Sequence, residues 1–259
     1  MNQEHKDHLK SKIETKESNN SPFYHMELEE ILPLSLAEKL YEEFPDYEDE
    51  IWFKYKNKIE DKKLLSDWRQ FPQATYELFT FLTSQPFLDF LSDKVGCKLY
   101  ADPGLHGGGW HIHKNGGKLN PHLDYSLHPM LKLQRKLNLI IYLCKDWQEE
   151  YGGHFGFWKE SNTEGQVGEL VKEISMGFNK AVLFDTTQNS WHGLSREVSC
   201  PEGIYRKSLA IYYLTDPPKG VDSRSRALFS PTEEQKDSKE VIELIKKRSD
   251  FNKSKEVYL

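Results

Sequence analysis

The 259-residue chain carries 35 Lys and Arg against 41 Asp and Glu, a formal charge of −6, with 37% hydrophobic and 13% aromatic residues. That length allows a substantial core, and the acidic balance lacks the electrostatic footprint expected of a nucleic-acid-binding protein. No apolar run reaches the roughly 18 residues of a membrane span, and no apolar leader follows Met1. The three cysteines, Cys97, Cys144 and Cys200, are spaced for neither a disulfide framework nor a metal finger, so a cytoplasmic protein with reduced thiols is expected.

Met1 to Ser21 is rich in Lys, Glu, Asn and Ser, which predicts a disordered tail or frayed helix over residues 1–22. Phe23 to Leu32 turns apolar and reads as a first strand or an extended entry segment. Leu36, Leu40 and Phe44 recur every four residues, predicting an amphipathic helix from Pro33 to Phe44 that Pro45 ends. Asp46 to Trp68 reads as a charged, aromatic excursion over a pocket mouth. Helical spacing of apolar groups predicts one helix over Phe71–Leu82, with Tyr76, Phe79 and Leu82 on its face. Another begins near Pro86 and reaches Val95, so residues 33–95 form a helical support.

After Gly96 short apolar or alternating runs follow one another between Gly, Pro and Asn turns. They are Lys98–Ala101, Gly109–His113, Leu119–Leu123, Leu137–Leu143, Phe155–Trp158, Leu170–Ile174, Lys180–Phe184, Trp191–Leu194 and Ser208–Leu214. Strands at this density predict a sandwich or closed β-barrel over residues 97–216. A terminal helix is expected over 231–248, with Ser230 as its cap, Pro231 in its first turn and Lys246-Lys247-Arg248 near its C-terminal dipole. The whole is expected to be one domain over 23–259, mainly β with flanking helices.

His122 and Asp124 stand two apart on a strand, so their side chains share one face. With His192 from a distant strand, after the turn-like Thr186–Ser190, they supply the two imidazoles and one carboxylate of a non-heme Fe(II) site with open positions. Arg206 opens a core strand and needs a buried anion, which a ligand carboxylate would satisfy. His106, His111 and His113 form a competing metal set, but no acidic residue shares their face. Gly107-Gly108-Gly109 is followed by no Lys-Ser/Thr helix start and reads as a loop or bulge. No GxSxG elbow is present. Trp110, His113 and Trp191 are expected to line a substrate pocket.

The segment Gln134–Trp147 (QRKLNLIIYLCKDW), followed by Tyr151–Trp158 (YGGHFGFW), resembles the core of the 2-oxoglutarate- and Fe(II)-dependent oxygenases. The likeness runs from about Leu105 to Thr215 and is strongest to the prolyl-hydroxylase-like branch. It implies a double-stranded β-helix, the cupin-like jelly roll, packed on the N-terminal helices. His122, Asp124 and His192 then look like the iron ligands, and Arg206 like the residue that binds the distal carboxylate of 2-oxoglutarate. Ser208 and Tyr142 would assist it, and Asn138, on the Tyr142 face, would line the pocket. Prolyl hydroxylases carry a tyrosine on the strand before HxD, where this chain has Trp110, Ile112 and His113.

The resemblance further implies Fe(II), 2-oxoglutarate and O2, with ascorbate as a reductant, and release of succinate and CO2. Retention of Asp124 favours hydroxylation over halogenation. The substrate stays open among a small molecule, a glycan and a peptidyl residue such as proline, with the first two slightly preferred. A non-redox cupin-like binding or isomerising protein is the alternative, and a partner-binding scaffold with a vestigial site is a further one.

Overall fold

Alternation along the strands decides which side chains meet the helices and which meet the cavity. The computed structural model describes every residue except Glu164, Gly165, Gln188, Phe251 and Leu259, and of Lys255 only the backbone. Gln188 of the expected turn therefore lies outside the described residues. The larger antiparallel sheet has nine strands. Its main path is β1 (His25–Glu29), β11 (Phe178–Asp185), β8 (Gln134–Leu143), β13 (Arg206–Thr215), β5 (Gly109–His113), β3 (Glu60–Leu65) and β2 (Phe53–Lys56). β4 (Tyr100–Ala101) adds to β13, and β6 (Lys118–Leu119) adds to β3. The smaller sheet runs β10 (Val167–Ile174), β9 (Phe155–Glu160), β12 (Trp191–Leu194), β7 (His122–Leu123) and β14 (Leu228–Phe229). The two curled sheets form a jelly-roll core.

On the central strands Leu137, Leu139, Ile141 and Leu143 of β8, Leu209, Ile211 and Tyr213 of β13, and Trp110 and Ile112 of β5 join one apolar cluster with the helices. Those helices are α1 (Gln3–Glu14), α2 (Leu34–Glu42), α3 (Gln73–Leu82) and α4 (Gln85–Val95). The intervening residues face the smaller sheet. Tyr142 of β8, Cys144 just past its end, and Val182 and Phe184 of β11 pack there on Phe155 and Phe157 of β9. Polar exceptions on this inner face, Asn138, Arg206, Ser208 and His113, are all buried. Polar groups held between two packed layers cost stability unless something satisfies them.

Several elements differ from the expectations. The presumed N-terminal tail holds α1, whose Asn2 side chain caps the first turn by accepting from the His5 N–H. Leu9 and Ile13, one turn apart in a polar segment, are wholly buried against the helical layer. Two apolar residues are a faint signal, yet they suffice because both are enclosed. The Asp46–Trp68 excursion contributes β2 and β3, and β3 pairs with β5 in register Leu64↔His111. The single strand expected over Leu119–Leu123 is two, β6 and β7, in different sheets. Pro121 lies between them and has no N–H to give a ladder.

α2 stops at Glu42, with Phe44 buried just beyond it. Tyr76 of α3 is exposed, and Leu78, Phe79, Phe81 and Leu82 carry the packing instead. The terminal helix α5 is shorter than expected (Lys239–Ser249) and is capped by Ser238, whose hydroxyl accepts from the Val241 N–H. The hydroxyl of Ser230, the expected cap, accepts from the Val167 N–H and so serves the smaller sheet. Replacing Leu9 by Ala should lower the unfolding free energy by about 2–4 kcal/mol, read by urea denaturation. An unchanged midpoint would show that α1 does not share the core.

Candidate active site

β7 and β12 are adjacent antiparallel strands in which His192 stands opposite His122. Their ring centroids are 4.3 Å apart. Each ring donates Nδ1–H to the carbonyl two residues before it, His122 to Asn120 O at 3.0 Å and His192 to Ser190 O at 2.8 Å. That bond fixes the tautomer and leaves each Nε2 lone pair free. Asp124 sits one residue past the end of β7, where its Oδ2 lies 3.6 Å from His192 Nε2 and has no hydrogen-bond partner. One donor atom from each of the three residues lies within 4.8 Å of the others, and all three residues are buried. Among the described residues no other group has this geometry, so His106, His111 and His113 do not form a competing set.

Electrostatics suit a divalent cation at that point. Burial pulls the pKa of His122 well below its ordinary value, and that of His192 below it, so both imidazoles are neutral. Burial alone would raise the Asp124 pKa. The Arg135 guanidinium opposes this, and the Asp124 pKa lies below the usual carboxylate value. Neutral imidazoles and an ionised carboxylate are what metal ligation requires. The unpartnered Asp124 oxygen is the atom that a metal would satisfy.

Arg135 escaped sequence reasoning. Its Nη1 is 3.0 Å from Asp124 Oδ1 and its Nη2 donates to His106 O at 2.6 Å. The guanidinium is sandwiched between the Tyr125 and Tyr212 rings, 3.5 and 3.4 Å from their centroids. The signal was available, because Arg135 is the second residue of core strand β8 much as Arg206 is the first of β13.

A small cavity of about 50 Å³ opens beside the histidines, lined in part by His113, Asn138, His192, Arg206 and Ser208. In the strand register Arg206 faces His113, while Ser208 lies between His111 and Tyr142. Arg206 is buried, donates Nε–H to Gly153 O at 2.9 Å, and forms no ion pair among the described residues. Gly153 has φ +66, and a Cβ there would come within 3.0 Å of Arg206 Cδ, so the GG turn admits the arginine closely. The guanidinium carbon is 5.1 Å from the Tyr142 ring centroid. The Tyr142 hydroxyl, Asn138 Oδ1 and both His113 nitrogens are buried without partners. Burial raises the Tyr142 pKa, which keeps the phenol neutral and able to donate. A buried cation without a counter-ion, ringed by unsatisfied polar atoms, is fitted to a ligand carboxylate.

Two expected pocket residues lie elsewhere. Trp110 is fully buried on the opposite face of β5, with its ring 5.5 Å from Phe44, 6.3 Å from Trp52 and 5.1 Å from Phe71. Trp191 is buried, pairs in register with Trp158, and alternates with His192 so that it points away from the cavity. A second, larger cavity of about 350 Å³ adjoins the histidine–aspartate cluster. Its wall includes Lys62, Arg135, Arg226 and Arg248, together with Glu60 and Asp124. Arg248, expected only to face the α5 dipole, donates to Glu60 at 2.9 Å.

A jelly roll with two imidazoles and a carboxylate beside a cavity that holds a buried arginine is an arrangement suited to a non-heme iron site with open positions. The family model described as the 2OG-Fe(II) oxygenase superfamily matches residues 108–214. A prolyl 3-hydroxylase of Xenopus laevis, OGFOD1, is 29% identical over 92 residues, which is 34% of this chain and only 17% of that protein. A Trichoplax adhaerens prolyl hydroxylase, solved with a hypoxia-inducible-factor peptide fragment, superposes with TM-score 0.54 at 15% identity, over 81% of this chain and 88% of that one. A Pseudomonas putida prolyl-4-hydroxylase superposes with TM-score 0.54 at 14% identity, over 80% and 98% of the two chains. A Phytophthora capsici prolyl 4-hydroxylase gives TM-score 0.55 at 17% identity, over 96% and 77%. At such identity the structural likenesses establish the fold alone.

Residues 108–214 thus resemble the 2OG-Fe(II) oxygenase superfamily, and the frog protein that the chain matches is a prolyl 3-hydroxylase of which it spans only a small part. Among the described residues no helix is long and apolar enough to cross a membrane.

Burial also lowers the pKa of His113 far below its ordinary value and that of His111 to about 3. The unfolded chain therefore takes up protons below about pH 6.5 that the folded chain refuses. The stability contributed by these groups is complete above pH 6.5 and is lost on acidification, at up to about 1.4 kcal/mol per pH unit for each imidazole. Urea denaturation of the metal-free protein between pH 7 and 5 should show this fall, and His113→Gln should flatten it. An equal slope in the variant would remove His113 from the account.

Proposed function

We propose that the protein is a 2-oxoglutarate- and Fe(II)-dependent dioxygenase that hydroxylates an unactivated C–H bond of a substrate held in the larger cavity. His122, Asp124 and His192 hold the Fe(II), and Arg206 holds the distal carboxylate of 2-oxoglutarate. The observation that carries the reading is the orphaned Asp124 Oδ2, facing two imidazoles whose Nδ1 hydrogens are already committed to backbone carbonyls. Bound Fe(II) supplies the oxidising chemistry, with 2-oxoglutarate and O2 converted to succinate and CO2.

The residues of the chain do the positioning. Arg135 keeps Asp124 ionised and occupies one of its oxygens, so only the other is turned to the metal. Arg206 forks onto the co-substrate carboxylate, with the Tyr142 and Ser208 hydroxyls donating beside it. Asn138 and His113 line the same small cavity. Phe155 and Leu194 contribute its apolar wall and exclude water. We favour a small molecule or glycan as substrate, because the cavity is walled on one side by the Ala227–Phe229 segment and Arg248. Peptidyl proline is the second reading, supported by the likeness to the frog prolyl 3-hydroxylase.

Iron-loaded protein should convert 2-oxoglutarate to succinate, and Asp124→Ala should abolish both conversion and metal retention with the far-UV circular dichroism unchanged. Arg206→Ala should raise the KM for 2-oxoglutarate about 30-fold or more, as expected for loss of a charge-assisted bond worth about 2 kcal/mol. An Arg206→Ala protein with wild-type KM would remove that assignment.

A further inference from the structure

We infer that the substrate is a small anionic molecule whose carboxylate, sulfate or phosphate group is bound by Lys62 in the larger cavity. This rests on the oxygenase reading of the neighbouring centre.

Lys62 stands on β3, where alternation places it with Glu60 and Leu64 on the cavity side and leaves Lys63 on the other. Lys63 has its own partners there, the Tyr47 carbonyl and the Glu48 carboxylate. Lys62 has none of that kind. Among the described residues it forms no hydrogen bond or ion pair, and its ammonium stands 5.3 Å from the Tyr55 ring centroid across the β2–β3 hairpin. It lines both cavities, at the wall between the histidine–aspartate cluster and the larger space.

The acidic groups of that space are already committed. Asp124 meets Arg135 through one oxygen and turns the other to the proposed metal, and Glu60 accepts from Arg248 and from the Tyr258 hydroxyl. Bound 2-oxoglutarate does not alter this imbalance, because its distal carboxylate is met by Arg206 and its other end by the metal. Burial pulls the Lys62 pKa below its ordinary value, a cost that an anion beside the ammonium would offset. A cavity of about 350 Å³ holds a small metabolite, and Lys62 would orient that metabolite by its charged end. The C–H bond presented to the metal would then lie a fixed distance from the anionic group.

The test uses the full chain loaded with Mn(II) and 2-oxoglutarate, so that the Arg206 cavity is filled. Matched probes are glucuronate and glucose 6-phosphate against glucose, and N-acetylproline against its methylamide. Paramagnetic broadening of probe protons reports binding near the metal. The anionic member of a set should bind at least about tenfold more tightly, the size of one charge-assisted contact. Comparison of glucuronate with glucose 6-phosphate distinguishes carboxylate from phosphate recognition. Lys62→Gln should erase the preference and Lys62→Arg should retain it.

Equal binding of charged and neutral probes, no broadening of any anion, or a preference that survives Lys62→Gln would each overturn the inference. So would loss in Lys62→Gln of the Fe(II)–2-oxoglutarate charge-transfer absorption, which would assign Lys62 to the co-substrate. Absence of that absorption in the unmodified protein would sink the oxygenase reading instead. Lys62-dependent anion binding, measured with Mn(II) alone, would remain as a separate result.

Discussion

A buried carboxylate with one oxygen tied and one oxygen free is the constraint on which the centre depends. Asp124 could not remain charged between two packed sheets without a counter-charge, and Arg135 supplies it from the start of β8 in the larger sheet. The guanidinium is in turn too costly to bury alone. Two tyrosine faces and the His106 carbonyl receive it. A chain of compensations therefore leads from Tyr212 and Tyr125 through Arg135 to Asp124, and stops at an oxygen that only something outside the protein can satisfy.

The sheet architecture makes such a chain feasible. β8, β13 and β5 have one face in the helical core, where Leu, Ile and Trp interlock. Their other face is free to carry Asn138, Arg206, Ser208 and His113, whose strand positions are rigid because the apolar face anchors them. The helices thus hold the site in place without touching it. The same logic places Trp110 and Trp191, which lie next to pocket residues in sequence and on the other side of the strand in space.

Much of the centre was legible because spacing and residue type coincide with strand geometry. His122 and Asp124 share a face by period two, and the motif around Tyr142 and the GG turn fixed which distant histidine and arginine to pair with them. Arg135 was harder to see, since its meaning lies in a partner on another strand that no local pattern names. Lys62 was hidden for a different reason. Its segment looked like a charged excursion, and only pairing of β3 with β5 brings it beside the histidine–aspartate cluster. The docking of α1 was missed because composition averages over a segment, whereas docking depends on two residues, Leu9 and Ile13. The terminal helix was extended too far because Ser-Pro-Thr-Glu reads well as a cap, while Ser230 is needed by β10.

The C-terminal segment is more than an appendage to the barrel. β14 pairs with β7 so that Phe229 stands opposite His122, and the Phe229 ring stacks on the imidazole with centroids 5.0 Å apart. β7 is only two residues long. It has His192 on one side and Phe229 on the other, so His122 is held by neighbours from widely separated parts of the chain. Ala227 and Phe229 also form part of the larger cavity wall, and Arg248 of α5 reaches back to Glu60 of β3. One segment therefore braces a candidate iron ligand and shapes the space in front of it. A change in that segment would disturb the His122 imidazole and the larger cavity together, which in the proposed oxygenase ties selectivity to residues outside the matched stretch 108–214.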